Sequence, residues 1–75
     1  MNGLFTFEAA GRCGNFSKAA EELNVTPAAV SRMIARLEDH LDSPLFLRRP
    51  GGVDLTQSGQ ILFDAIARGF SGIEN

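Results

Sequence analysis

The most constraining feature of this sequence is a three-residue break, Asn24-Val25-Thr26, between two segments that favour helix. The segment before it, KAAEEL at 18–23, consists of strong helix formers. After it, Thr26 can cap a new helix, and Pro27 fits a first helical position because the N–H that proline lacks has no partner there. A link this short forces the two helices to turn sharply and to pack against each other.

Three positions around the break meet the steric requirements of a helix-turn-helix. Ala20 is small enough for a close helix crossing, Asn24 tolerates the left-handed backbone of a sharp turn, and Val30 covers the crossing from the second helix. An ordinary helical hairpin inside a small bundle is the alternative. The β-hairpin predicted after the second of these helices favours the helix-turn-helix, because a hairpin in that place forms a wing.

The flanking signals predict one helix before the pair. The spacing of apolar residues predicts this first helix over 4–12, with Asn2 as its cap and Gly14 as its stop. We expect Ser17 to cap the second helix, which ends near Asn24, and Phe16 to fold back as a hydrophobic staple.

The third helix is predicted from Pro27 to about His40 and has two distinct faces. Its apolar stripe contains Val30, Ile34, Leu37 and Leu41. Its opposite face carries small and charged residues: Ala28, Arg32, Ala35, Arg36 and Asp39. A face that begins with small side chains can approach another surface closely.

A hairpin and a long fourth helix complete the chain. The segments 45–49 and 53–55 read as strands around the turn Pro50-Gly51-Gly52. Thr56 can cap a helix of about eighteen residues, some 27 Å long, whose distal half should extend past the core. Its apolar stripe contains Leu62, Phe63, Ile66, Phe70 and Ile73. This stripe can either pack internally or form a dimer seam, and the overhang favours the seam.

The chain length and cysteine content narrow the class of protein. A chain of 75 residues is too short for two independent domains, and 44% apolar with 21% charged residues is a globular composition. Cys13 and His40, the only cysteine and histidine, are too few for a Cys/His zinc site. We expect Cys13 to be a packed side chain rather than a redox switch, and His40 to lie favourably at a helix C-terminus.

The sequence also argues against export, membrane insertion and catalysis. It lacks a signal peptide pattern and an apolar run near eighteen residues, which predicts a cytoplasmic protein that spans no membrane. It contains no Ser/His/Asp set, no phosphate-binding glycine loop and no metal cluster, so we expect no enzyme and no metal or cofactor in this chain.

Five motifs cover nearly the whole chain and carry a family resemblance. They are Leu4 with Phe7, GNFSKAAEEL at 14–23, VTPAAVSRMIARLE at 25–38, PLFLRR at 44–49 and VDLTQSG at 53–59. In this order and spacing the sequence resembles the N-terminal DNA-binding domain of LysR-type transcriptional regulators. It departs from the family's usual residues at Pro27, Ala28, Met33, Asp42 and Leu47.

The resemblance implies a mainly α winged helix-turn-helix with a three-helix core, a two-stranded β-hairpin wing and a long C-terminal helix. We assign 1–56 to the DNA-binding domain and 57–75 to a linker and dimerisation helix. The third helix, 27–40, would enter the major groove, where its early side chains reach base edges. The expected base-reading residues are Pro27, Ala28, Ala29, Ser31 and Arg32, and the expected backbone contacts are Ser17, Thr26, Arg36, Arg48 and Arg49. Ser17 and Thr26 can equally be caps alone, and Arg49 a solvated strand end.

The resemblance also implies partners beyond a single chain. It predicts a homodimer, with Leu62, Ile66, Phe70 and Ile73 as the dimerisation residues, bound to double-stranded DNA at an interrupted inverted repeat. It leaves a tetramer open for the full-length protein, and it implies a small-molecule effector bound by a C-terminal domain that this chain lacks. A nucleoid-associated location in the cytoplasm follows from the same resemblance.

Net charge gives the opposing reading. A net charge of −2 and a pI near 5.2 argue at first sight against a phosphate partner and favour a winged helix that docks on another protein. The charges are unevenly placed, however, because Arg32, Arg36, Arg48 and Arg49 lie on the third helix and the hairpin. The acids on other helical segments are Glu8, Glu21, Glu22, Asp64 and Glu74. A local and modest positive footprint predicts weak non-specific binding and a need for two subunits.

Overall fold

The computed structural model describes the backbone of residues 3–73 and the side chains of residues 3–69. The element order is α1 (Gly3–Cys13), α2 (Phe16–Leu23), α3 (Pro27–Leu41), β1 (Phe46–Arg49), β2 (Gly52–Leu55) and α4 (Gln57–Ile73). The two strands form one antiparallel hairpin. This is the predicted, mainly α winged helix-turn-helix. The predicted cap Asn2 lies outside the described residues.

The start of α2 differs from the prediction. Asn15, not Ser17, is the N-cap: its side-chain oxygen accepts a hydrogen bond from the N–H of Lys18 at 3.0 Å. Asn15 also donates from its amide nitrogen to the carbonyl of Gly51 in the wing at 3.3 Å. The N-cap therefore lies two residues before the predicted one, and the bond to the wing favours Asn15 over Ser17 as the cap. Phe16 is therefore the first helical residue rather than the staple before a cap.

The break between α2 and α3 has the predicted geometry. Asn24 is the C-cap of α2, with a left-handed φ of 61°, and the N–H of Val25 bonds to the carbonyl of Ala20 at 2.9 Å. Thr26 caps α3 by accepting from the N–H of Ala29 at 3.1 Å. Ala20 and Val30 are fully buried at the crossing. The helix-turn-helix prediction is confirmed.

The apolar stripe of α3 is confirmed except at its last member. Val30 and Ile34 are buried and Leu37 packs against the core, but Leu41 is 45% exposed. Leu41 lies in the final turn beside exposed His40, just before Asp42 ends the helix with a φ of 54°. The prediction of Leu41 as an inner residue was wrong, because the spacing continues past the part of α3 that other elements cover.

The wing is held against the loop that joins α1 to α2. Its register pairs Phe46 with Leu55 and Arg49 with Gly52. The N–H of Val53 donates to the carbonyl of Gly14 at 3.0 Å, and a Cβ at Gly52 would collide with that same oxygen. The backbone of β2 therefore packs closely against the loop between α1 and α2.

The start of α4 is tied to the strand entry. Thr56, the predicted cap, accepts from the N–H of Gly59 at 3.0 Å and donates its hydroxyl to the carbonyl of Pro44 at 2.7 Å. From there α4 lays Leu62, Phe63 and Ile66 against the core. The rings of Phe7 and Phe63 lie 6.3 Å apart, edge to face. These contacts join α4 to α1.

None of the helices described over 3–73 combines the length and hydrophobicity needed to cross a lipid bilayer. Within the same residues, no group of three or more His, Cys, Asp or Glu side chains is placed to hold a metal ion. Cys13 is partly buried and packs against the core.

Candidate nucleic-acid interface

The outer face of α3 is solvent-exposed along most of its length. Ala28, Arg32 and Arg36 are exposed there, and Ala29 is half-buried beside them. Ala29, Arg32, Met33 and Arg36 line a shallow depression on this surface. Neither arginine forms an ion pair with another described residue. The face thus presents two available cations behind a strip of small side chains.

Arg48 joins the wing to this face. Its Nη2 donates to the Ser31 hydroxyl oxygen at 3.0 Å, and its Cζ lies 5.2 Å from the centroid of the Phe16 ring. A small cavity of about 80 Å³ lies between the wing and α3, lined in part by Arg48, Ser31 and Glu38. The structure therefore brings together a predicted base-reading residue and a predicted backbone contact.

Ser17 lies near the wing as well. It is exposed in the first turn of α2 and lines a depression that Arg48 and Gly52 also border. Because Asn15 is the cap, the Ser17 hydroxyl is not needed for capping. Thr26, in contrast, uses its hydroxyl oxygen to cap α3. Of these two predicted backbone contacts, Ser17 is the better placed to meet a ligand with its side chain.

Arg49 points away from α3, on the opposite side of β1 from Arg48. Its Nε lies 2.9 Å from Oδ1 of Asp54 in the neighbouring strand, and both side chains are more than half exposed. Such an exposed pair contributes little to stability. It does lower the net positive charge that Arg49 brings to the wing.

A charge cluster ties α1 to α2. Arg12 Nε lies 2.9 Å from Glu8, and Arg12 also forms hydrogen bonds and an ion pair with Glu22. The hydrogen bond from Arg12 holds the pKa of Glu22 below its ordinary value, and the two carboxylates raise the pKa of Arg12, mainly through their hydrogen bonds. The cluster satisfies two of the acids within the scaffold.

Glu38 positions the wing, although its sequence context does not predict that role. The Glu38 carboxylate accepts from the N–H groups of Leu45 at 2.7 Å and Phe46 at 3.2 Å. Glu38 thereby fixes where the wing begins relative to α3. No local sequence pattern predicts this role, because the two N–H groups lie seven and eight residues further along the chain and meet Glu38 only in the folded structure.

The predicted dimerisation residues fall into two groups. Leu62 and Ile66 are partly buried against the core of their own chain, so the internal-packing alternative applies to them. The side chains of Phe70 and Ile73 lie outside the described residues. Ile61, on another side of α4, is 64% exposed. A dimer role for this stripe stays a prediction.

The comparison with known families decides which helix-turn-helix this is. The profile of the "Bacterial regulatory helix-turn-helix protein, lysR family" matches residues 1–60. The chain belongs to this family. The LysR-family assignment covers the whole of the helix-turn-helix and the wing.

Several relatives of this LysR-family chain are transcriptional regulators. The HTH-type transcriptional activator AmpR of Rhodobacter capsulatus is 51% identical over 70 residues, which are 93% of this chain and 24% of AmpR. The regulator PerR of Escherichia coli K12 is 46% identical over 74 residues, 99% of this chain and 25% of PerR. The chain thus spans about a quarter of the length of these relatives.

Solved structures share the fold. The CbnR DBD–DNA complex has a TM-score of 0.84 and 30% identity, covering 99% of this chain and 93% of that one. A LysR-family transcriptional regulator from Eggerthella lenta DSM 2243 has a TM-score of 0.80 and 43% identity, covering 87% of this chain and 93% of that one.

Proposed function

We propose that this chain is the sequence-specific DNA-binding module of a LysR-family transcriptional regulator. The proposal rests on the exposed face of α3 within a helix-turn-helix, where Arg32 and Arg36 stand beside small side chains and form no ion pair with any residue that the structure describes. The solved CbnR DBD–DNA complex, which shares this fold, supports it. The proposed activity is binding, not catalysis.

Base reading is assigned to the first turns of α3. The Arg32 guanidinium offers two parallel donors to O6 and N7 of guanine, and the methyl groups of Ala28 and Ala29 suit a thymine methyl. Pro27 and Ser31 lie on the same early turns. A helix in the major groove presents its N-terminal residues to base edges. All of these side chains lie in the N-terminal part of α3.

Phosphate binding is assigned to groups around this face. Arg36 lies one turn beyond Arg32, and Ser17 and Thr26 stand at helix N-termini, where backbone N–H groups and the helix dipole favour anions. Arg48 and Arg49 are the wing's cations. The ion pair of Arg49 with Asp54 makes it the weakest of these candidates.

Two chains acting together fit the thin positive charge of one. A chain of net charge −2 with few exposed arginines on its reading face gains little from non-specific phosphate contacts. We therefore propose a homodimer through α4 that reads an interrupted inverted repeat, with recognition helices about one DNA turn apart. A small-molecule effector, bound elsewhere in the whole protein, belongs to the same proposal.

Selection of bound sites from random duplexes tests the proposed function. We expect the chain to enrich one sequence motif with two related half-sites, and to elute from heparin at a salt-dependent point. If the winged helix docks on protein instead, no motif is enriched and heparin retains nothing.

A further inference from the structure

The guanidinium of Arg48 is held in a fixed place between two elements. It lies over the Phe16 ring, with Cζ 5.2 Å from the ring centroid. That ring stands edge-on to Phe46 at 5.4 Å and 90°. Phe46 is 9% exposed, and its backbone N–H donates to the Glu38 carboxylate. The Arg48 guanidinium is therefore anchored on the side of the wing that faces α3.

From this place Arg48 reaches one atom on α3. Its Nη2 donates to Oγ of Ser31 at 3.0 Å, across 17 positions of sequence. Ser31 is half-buried and lies one turn after exposed Ala28 and one turn before exposed Ala35 on α3. The contact thus couples the wing to a residue on the outer face of α3.

The chemistry of the pair determines what Ser31 can offer a ligand. A hydroxyl carries one donor and two acceptor sites, whereas a guanidinium only donates. With Arg48 donating to Oγ, the Ser31 proton turns away from the positive charge and toward an acceptor. A positive neighbour also makes the hydroxyl a poor acceptor for a further donor.

We propose that Arg48 is a positioning residue that fixes Ser31 as a hydrogen-bond donor toward an acceptor atom of DNA. The acceptor is a base atom (purine N7, guanine O6 or thymine O4) or a phosphate oxygen. The exocyclic amino groups of adenine and cytosine are rejected, because they are donors. This inference rests on the proposed function and changes the part of Arg48 in it: Arg48 acts through Ser31 rather than as an independent phosphate contact.

A double-mutant cycle on the selected duplex tests the coupling. The variants are Ser31→Ala, Arg48→Met and the double variant, since methionine keeps an apolar chain over Phe16 and removes the donors. We expect each single variant to lose about 3- to 10-fold in affinity, the scale of one hydrogen bond. The double variant should lose no more than either single variant.

Two measurements separate positioning from a structural or purely electrostatic role. Arg48→Met should leave the salt dependence of binding to random duplex close to wild type. If the acceptor is a base atom, the motifs selected by Arg48→Met and by Ser31→Ala should lose specificity at the same base position. If the acceptor is a phosphate, both variants should select the wild-type motif. Arg49→Met is the matched control, because Arg49 lies on the other side of β1: its effect should add to that of Ser31→Ala.

Acceptor-deleted duplexes identify which atom Ser31 meets. Base analogues that lack N7, O6 or O4 and methylphosphonate linkages are placed one position at a time. At the true acceptor, the substitution should lower the DNA affinity of the wild-type chain and leave the affinities of Ser31→Ala and Arg48→Met unchanged. If this pattern is found with a base analogue, the acceptor is a base atom. If it is found with a methylphosphonate linkage, the acceptor is a phosphate oxygen.

Three results would overturn the inference. One is additive losses for Ser31→Ala and Arg48→Met, and another is a salt slope lowered by about one in Arg48→Met alone, which indicates a direct phosphate contact. The third is a wild-type chain that enriches no motif, which removes the proposed function and this inference with it. Far-UV circular dichroism confirms folding of each variant, and Arg48→Gln replaces Arg48→Met if the latter is unfolded.

Discussion

The carboxylate of Glu38, near the end of α3, accepts the backbone N–H of Leu45 at 2.7 Å as the chain enters the wing. Leu45 is 1% exposed, so its N–H has little access to water and depends on this partner. Glu38 thereby fixes the entry of the wing relative to α3, beside the Arg48–Ser31 hydrogen bond that joins the two elements further along β1.

Replacing Glu38 by Ala should destabilise the fold and loosen the wing. The N–H groups of Leu45 and Phe46 would lose their acceptor, at a cost of about 1–3 kcal/mol for a buried unsatisfied donor. Glu38→Gln keeps one acceptor oxygen and should lose less. Urea unfolding followed by far-UV circular dichroism measures both, since the chain has no Trp or Tyr for fluorescence. Equal stability of Glu38→Ala and wild type would contradict this account.

Gly59→Ala should be strongly destabilising. A Cβ at Gly59 would overlap the carbonyl oxygen of Leu45, which is backbone and cannot move aside without shifting the wing entry. We expect a loss of about 2 kcal/mol or more. Gly69→Ala in the same helix is the matched control. A Cβ there meets nothing within 4 Å, so alanine should stabilise the helix by about 0.5–1 kcal/mol.

Stability should fall as acid protonates Glu22. Arg12 holds the pKa of Glu22 below the ordinary value of a glutamate in the folded chain, mainly through a hydrogen bond. A depressed folded-state pKa gives a contribution that is present above the unfolded pKa and is lost as pH falls through the folded one. Thermal unfolding from pH 7 downward should show a shallower loss for Glu22→Gln than for wild type. An identical pH profile for both would rule out the contribution.

Substitutions of Arg32 and of Arg36 should affect DNA binding in different ways. Arg32→Ala should cost about 1–3 kcal/mol on the selected site and relax one base position, because it removes a fork that reads guanine. Arg36→Ala should weaken all sequences alike and lower the salt slope by about one. Affinities on selected and random duplexes at several salt concentrations distinguish the two. Equal losses for both variants on both duplexes would refute the assignment.

Phe70→Asp should weaken the proposed dimer. A carboxylate on the apolar stripe of α4 would be desolvated in a helix-helix seam. Sedimentation at high micromolar concentration should show a dimer for wild type and a shift toward monomer for the variant. Ile61→Asp is the control, since at 100° per residue Ile61 lies on the opposite side of α4. A shift with Ile61→Asp alone would place the seam on the other face.

Features that depend on near neighbours could be predicted from the amino-acid sequence. Asn24, Thr26 and Thr56 act as predicted because a cap or a left-handed turn is decided within about four residues, by local geometry and hydrogen bonding. The spacing of Val30 and Ile34 likewise predicted the buried face of α3. The predicted hairpin after α3 and the family motifs then led from this local pattern to the winged helix-turn-helix.

Contacts between segments far apart in the chain could not be predicted in this way, because they depend on how the helices and strands pack. Asn15 and Ser17 are both good caps by type, and the bond from Asn15 to Gly51, 36 residues away, distinguishes them. The apolar spacing predicted Leu41 as a buried residue because a spacing pattern contains no information on where neighbouring helices stop covering α3. The pairing of Arg48 with Ser31 belongs to the same class: side chains from a strand and a helix meet only once the packed core has fixed the distance between those elements.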